Sequence, residues 1–344
     1  MLVGSVALVV LVILAFLACR YGPAPLAHPG AGSINELRRV ELGGLKQWIS
    51  IRGSDVRNPV LLFLHGGPGS ANIAKLRIQC PKLEDHFIVV NWDQRGAGKT
   101  NTLRIYDPGL SLEQLLSDTH ELVKYLRNRF GGGKIYLMGF SWGTVLGLST
   151  ARDHPEDFLA YVGVSQIVDY AEGERISLAF AQRTAGETDN RKAVKELADI
   201  DPAYASKSWY GDLTRQRGWL LKFGAVYHTA TGYGHEIRML IEASEYSFLD
   251  FAGWPLGQGN SLRAMWAELM GVNFFESAPE IAVPVYFMEG RYDYNAPSEL
   301  AQAYYERLSA PKGKRLVWFE ESAHDIFFDQ PEKLTDELVK IKNG

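Results

Sequence analysis

Cysteine is scarce: Cys19 and Cys80 are the only two in 344 residues. Cys19 sits in an apolar N-terminal run, so the folded part has no disulfide framework and a hydrophobic core must hold it together. A basic excess is missing as well. The balance of 36 Lys and Arg against 40 Asp and Glu leaves a net charge of -4, which excludes the clustered positive footprint of a nucleic-acid-binding protein. There is no internal repeat and no long low-complexity segment, so solenoids and repeat arrays are excluded. No His-Glu-x-x-His, cysteine cluster or calcium-spaced carboxylate loop occurs, and no metal is expected.

What is present is the composition of a packed globular protein, with 46% hydrophobic, 12% aromatic and 22% charged residues. The length allows one large core with an insertion. From Leu2 to Cys19 the chain carries no charge, close to the roughly 20 apolar residues that cross a bilayer. Its leading residues offer only the α-amine, unlike the basic n-region of a signal peptide. Residues 1–20 are therefore expected to form an N-terminal transmembrane anchor, with a cleaved or lipidated signal as the alternative. The protein would then sit at the membrane by a single N-terminal pass, with the side facing the catalytic domain left open. Residues 21–35, rich in proline and glycine, read as a linker.

Short apolar runs follow. Val60–Leu64 leads into His65-Gly66-Gly67-Pro68-Gly69, Phe87–Val90 into Asn91-Trp92-Asp93, and Lys134–Met138 into Gly139-Phe140-Ser141-Trp142-Gly143. Val283–Met288 and Arg315–Phe319 complete the series. Each reads as a buried strand. Leu112 to Phe130 has helical spacing, a Ser111/Gln114 capping box and Gly131 just past its end. Strands alternating with helices predict an α/β fold with a mainly parallel sheet covered by helices on both faces. Between residues 169 and 279 scattered aromatics replace the strand runs. This stretch is expected to be a helical cap inserted between two core segments, 36–168 and 280–344.

Gly-x-Ser-x-Gly between an apolar strand and a helix predicts a strained turn that lifts Ser141 above the sheet edge as a nucleophile. The N–H of Trp142 then faces the oxyanion position, and Gly67 is the best second donor because Pro68 has no N–H. A serine needs a base, and a base needs an orienting acid. Among the downstream histidines only His324 follows a late core strand, and Asp293 holds the matching place after Val283–Met288. The order Ser141, Asp293, His324 fits this architecture. Gly96-Ala97-Gly98-Lys99-Thr100 looks like the end of a phosphate loop, but Asp93 stands where that loop needs its first glycine. A turn tied to neighbouring loops by Asp93 or Arg95 is expected instead, and His65 is expected to brace its loop.

HGGPG (65–69), DQRGAGKT (93–100), GFSWGT (139–144), GRYD (290–293) and SAHD (322–325) together resemble the α/β-hydrolase family, in its proline iminopeptidase-like branch of serine aminopeptidases. The resemblance implies an eight-stranded, mostly parallel sheet, a helical cap, no cofactor, and release of an N-terminal residue from small peptides or amides. Such enzymes hold the substrate's α-amine with cap carboxylates in a Trp-Glu stretch. This chain has no Trp-Glu pair between Asp169 and Pro279, and Glu242, Glu245 and Glu268 are the candidates. The partner expected is a small-molecule or short-peptide substrate. An esterase, lactonase or amidase using the same triad is the alternative, and a tethered binding protein without turnover is the third possibility.

Overall fold

The computed structural model describes residues 22–101 and 109–344. Eight strands form one sheet: β1 (Ile34–Leu42), β2 (Leu45–Gly53), β3 (Val60–Leu64), β4 (Ile88–Asp93), β5 (Ile135–Phe140), β6 (Phe158–Val164), β7 (Val285–Gly290) and β8 (Lys314–Phe319). Their spatial order is β1-β2-β4-β3-β5-β6-β7-β8. The β1–β2 hairpin turns at Gly43-Gly44, and β2 runs antiparallel to β4. All other neighbours are parallel.

The inner strands are apolar throughout because successive side chains point to opposite faces and both faces are covered. Val60, Leu62 and Leu64 join one core, with Leu122, Leu126 and Val145 from the helices Leu112–Arg129 and Trp142–Asp153. Leu61 and Phe63 join the other, with Leu83, Phe327 and Leu338. Between β6 and β7 lie six helices, from Tyr170–Glu187 to Phe274–Ser277.

One expectation about the N-terminal part needs correction. Among the described residues no helix is long and apolar enough to cross a membrane. The membrane location, with its transmembrane helix over residues 1–20, is withdrawn on that finding; that segment lies outside the described residues. The stretch beyond it is extended but pinned. The guanidinium of Arg52, 1% exposed, donates to the carbonyls of Ala24 (2.6 Å) and Pro25 (3.1 Å) and to Glu84. The Gly22 N–H donates to the Ser244 carbonyl, and β1 already begins at Ile34.

At the other end of the sheet β7 touches the loop after β8 backbone to backbone. A methyl group at Gly290 would lie 2.0 Å from the Ala323 carbonyl oxygen and 2.8 Å from that of Ser322. Gly290→Ala must therefore push the two loops apart, at an expected cost of about 1–3 kcal/mol. Urea unfolding measures this, and an unchanged midpoint would contradict the close approach.

Candidate active site

Ser141 stands between β5 and the helix Trp142–Asp153 at φ 51, ψ -121. A serine in this left-handed region is strained and needs its surroundings to hold it. Its N–H donates to the Val164 carbonyl at 3.0 Å, and its carbonyl accepts from the Thr144 N–H at 2.8 Å and the Thr144 hydroxyl at 2.6 Å. The flanking glycines are required sterically. A Cβ on Gly139 would meet the Gly143 carbonyl oxygen at 2.5 Å, and one on Gly143 would meet that of Leu64 at 2.1 Å.

His324 Nδ1 lies 2.8 Å from Asp293 Oδ2, and both residues are buried. The other carboxylate oxygen of Asp293 accepts the backbone N–H groups of Asn295 and Ala296, each at 2.8 Å. An ionised carboxylate only accepts, so His324 donates through Nδ1 and keeps its basic lone pair on Nε2. Ser141 and His324 line the same cavity of about 850 Å³, together with Gly67. Gly66 is packed so that an added Cβ would sit 3.3 Å from that of Ser141. The Trp142 N–H belongs to the first helical turn, whose N–H groups have no partner within the helix and face partial negative charge favourably.

The family model for the alpha/beta hydrolase fold matches residues 59–331. A probable aminopeptidase of Bacillus subtilis (strain 168), YbaC, is 32% identical over 319 residues, covering 91% of this chain and 98% of the relative. The chain belongs to the α/β-hydrolase fold family. A proline iminopeptidase of Heyndrickxia coagulans is 26% identical over 281 residues, covering 79% of this chain and 86% of the relative. Among solved structures, a proline iminopeptidase-related protein from Thermus thermophilus shares the fold with TM-score 0.61 at 22% identity, covering 90% of this chain and 97% of that one. These relatives place this hydrolase in the proline iminopeptidase-like branch.

The carboxylates singled out in the sequence of this α/β hydrolase lie elsewhere. Glu242 pairs with Arg238 at the surface, Glu245 pairs with Arg77, and Glu268 accepts the Leu112 N–H. None of the three lines the cavity; Glu174 and Glu236 do. Asp325, also in the wall, is bound by Lys75 Nζ at 2.6 Å. His235, Glu236 and Asp325 hold potential ligand atoms within 4.8 Å of one another. The Lys75 ammonium already supplies the cation that a metal would bring to Asp325. Burial pushes the Glu236 carboxyl above its ordinary range, with Lys75 opposing.

The loops around Ser141 are tied through Gln94. Its amide oxygen accepts from the Trp142 indole at 3.1 Å, its side-chain nitrogen donates to the His65 carbonyl, and its backbone N–H faces His65 Nε2 at 3.3 Å. His65 Nδ1 donates to the Gly66 carbonyl at 2.7 Å, so Nε2 is free to accept only while the ring is neutral. Asp93 accepts from the Lys99 N–H and the Tyr246 hydroxyl, and Arg95 binds Asp118. Both make ties between loops.

Burial lowers the His65 pKa from 6.5 to about 4. Between those values the unfolded chain holds a proton that the native state does not, so this contribution is complete above pH 6.5 and lost as pH falls through 4. The loss across the window is about 3 kcal/mol. Denaturation from pH 7 to 4 should show a steeper fall for the wild type than for His65→Gln; equal slopes would refute a neutral buried ring.

Proposed function

We propose that this hydrolase is a serine aminopeptidase of proline iminopeptidase type, releasing an N-terminal residue from small peptides or amides through an acyl-enzyme. The observation that carries this reading is the 2.8 Å contact of His324 with the buried Asp293, with His324 and Ser141, the latter on its strained turn, lining one cavity. His324 Nε2 takes the Ser141 proton as the hydroxyl oxygen attacks the carbonyl carbon. The tetrahedral oxyanion is met by the N–H groups of Trp142 and Gly67, worth about 3–4 kcal/mol for each donor removed. His324 returns the proton to the leaving amine, and water then hydrolyses the acyl-serine by the same route. Asp293 holds the imidazole tautomer and stabilises the imidazolium. The six helices of 169–279 act as the cap that shapes the site.

Glu236 is the cap carboxylate suited to an α-amine. With Lys75 and Asp325 beside it, an ionised Glu236 leaves that wall with one surplus negative charge, which a substrate ammonium balances. The desolvation that raises its pKa also favours the second reading, an esterase, lactonase or amidase. Without an ammonium partner a neutral Glu236 carboxyl suits an uncharged acyl substrate.

Proline p-nitroanilide and p-nitrophenyl butyrate separate the two. Ser141→Ala should lose about a thousandfold or more on every substrate cleaved. Acetylating the proline nitrogen should abolish anilide cleavage. Glu236→Gln should raise the anilide KM about tenfold relative to its effect on the ester, the scale of one charge-assisted hydrogen bond. Ester cleavage alone would favour the second reading, and turnover that survives in Ser141→Ala would sink both.

A further inference from the structure

The loop that carries Gly67 is held at its two ends by different parts of the molecule. Where it leaves β3, Gln94 Nε2 donates to the His65 carbonyl at 3.3 Å, a tie within the α/β core. At the far end the ties come from the stretch Tyr246–Gly257, between β6 and β7. The Trp254 indole N–H donates to the Ala71 carbonyl at 2.6 Å, and the Ile73 N–H donates to the Tyr246 hydroxyl at 2.9 Å. Ala71 and Ile73 are fully buried, and the Trp254 ring packs on a small apolar cluster of Ile73, Ala74, Leu240, Ala243 and Tyr246. Loop and helix therefore share a seam with its own core.

Between those ends the loop meets the helix Phe248–Met270 backbone to backbone. A Cβ on Gly69 would lie 2.5 Å from the Gly257 carbonyl oxygen, and one on Gly257 would lie 3.2 Å from that of Gly69. Gly67 is two residues away in a tight turn, where a Cβ would meet the Ser70 and Gly69 nitrogens at 2.6 and 2.7 Å. With no side chain to absorb it, a shift of the helix is passed directly to this turn. Lys99 Nζ, 2.8 Å from Asp250 Oδ2, holds the first turn of the same helix to the 93–100 turn.

We propose that Trp254 is a positioning residue for the oxyanion hole: through the Ala71 carbonyl its indole N–H sets where the Gly67 N–H points. An oxyanion donor works only within a narrow range of distance, so a loop held at one end alone misplaces it. The negative charge it serves exists only in the transition state, and its misplacement therefore lowers kcat while leaving KM. The helices between β6 and β7 would then contribute to the chemical step as well as to the shape of the cavity that Trp254 lines. The inference rests on the reading of Ser141 as nucleophile and Gly67 as oxyanion donor.

Trp254→Phe keeps an aromatic ring in the cavity wall and removes the donor. On proline p-nitroanilide or p-nitrophenyl butyrate it should lower kcat about tenfold or more and leave KM within about threefold. Phenylboronic acid reads the same property without turnover. The Ser141 oxygen bonds to boron, its proton passes to His324, and a boron-bound oxygen takes the oxyanion position, so its affinity should fall about as far as kcat. Leu256→Ala, at an exposed position on the same helix that does not line the cavity, should leave all three values unchanged. If circular dichroism shows that Trp254→Phe does not fold, Gly257→Ala replaces it and should give the same split by pushing the helix off the loop. Unchanged kcat, a loss confined to KM, or a fall in kcat with boronate affinity kept overturns the proposal. Turnover surviving in Ser141→Ala, with no boronate binding to the wild type, is a different result and overturns the serine-hydrolase reading together with the inference built on it.

Discussion

The turn at Ser141 is the constraint on which the site depends. A left-handed serine costs about 1–3 kcal/mol of strain, and the surroundings must hold it there. They do so by backbone contact. Leu64 of β3 is in register with Gly139 of β5, and the Leu64 carbonyl reaches the space where a Cβ of Gly143 would stand. β3, β5 and the helix after Ser141 therefore meet with no side chain between them. A side chain at 143 would push the helix after Ser141 away from β3 and its HGGPG loop, and one at 139 would push that helix away from β5.

The histidine loop is held by a second set of contacts that no motif marks. Ser165, at φ 52, donates from its hydroxyl to the His324 carbonyl at 2.7 Å, while its own N–H donates to the Met288 carbonyl. The next residue, Gln166, donates its N–H to Glu289 Oε1 at 3.0 Å. β6, β7 and the loop after β8 are thereby joined beneath Asp293 and His324. Burial, with the nearby Asp293 charge adding to it, pushes the Glu289 carboxyl well above its ordinary range. On the other side of the serine, Gln94 links the HGGPG loop, the 93–100 turn and Trp142. Both flanks of the site are thus tied by hydrogen bonds between neighbouring loops and strands.

How much of this was legible follows from the way each element is buried. β3, β4, β5 and β7 bury both faces and appear as apolar runs, and β8 gives a shorter one. β1 and β2 do not. β1 lies at the sheet edge and intersperses charged with apolar residues, and β2 buries Gln47 and Arg52 against Asp118 and Glu84, partners distant in sequence. Only the folded chain reveals that these polar residues are satisfied. β6 hides for another reason: Ala160 and Gly163 dilute its run, and a Cβ on Gly163 would meet the Gln166 side chain at 2.3 Å. The contact of Asp293 with His324, and the cavity that His324 shares with Ser141, follow from chain order and strand ends, which the sequence displays. Glu174 and Glu236 were not legible, since the way the helices between β6 and β7 pack decides which of their carboxylates face the cavity.

The charges of that wall sort by how completely they are used. Lys75 and Asp325 neutralise one another beside His324, with the ammonium also lying 5.2 Å from the ring centres of Phe140 and Phe327. This pair fixes Asp325, and with it the start of the short helix Ile326–Asp329, so the backbone that carries His324 is anchored on both sides of the imidazole. An ion pair this buried adds little net stability, because desolvating two charges offsets most of their attraction. What it gives the site is geometry. The role proposed for His324, a base facing Ser141, needs a fixed ring more than a stabilised fold, and the buried pair, the Ser165 hydroxyl and Asp293 all act on that ring's position.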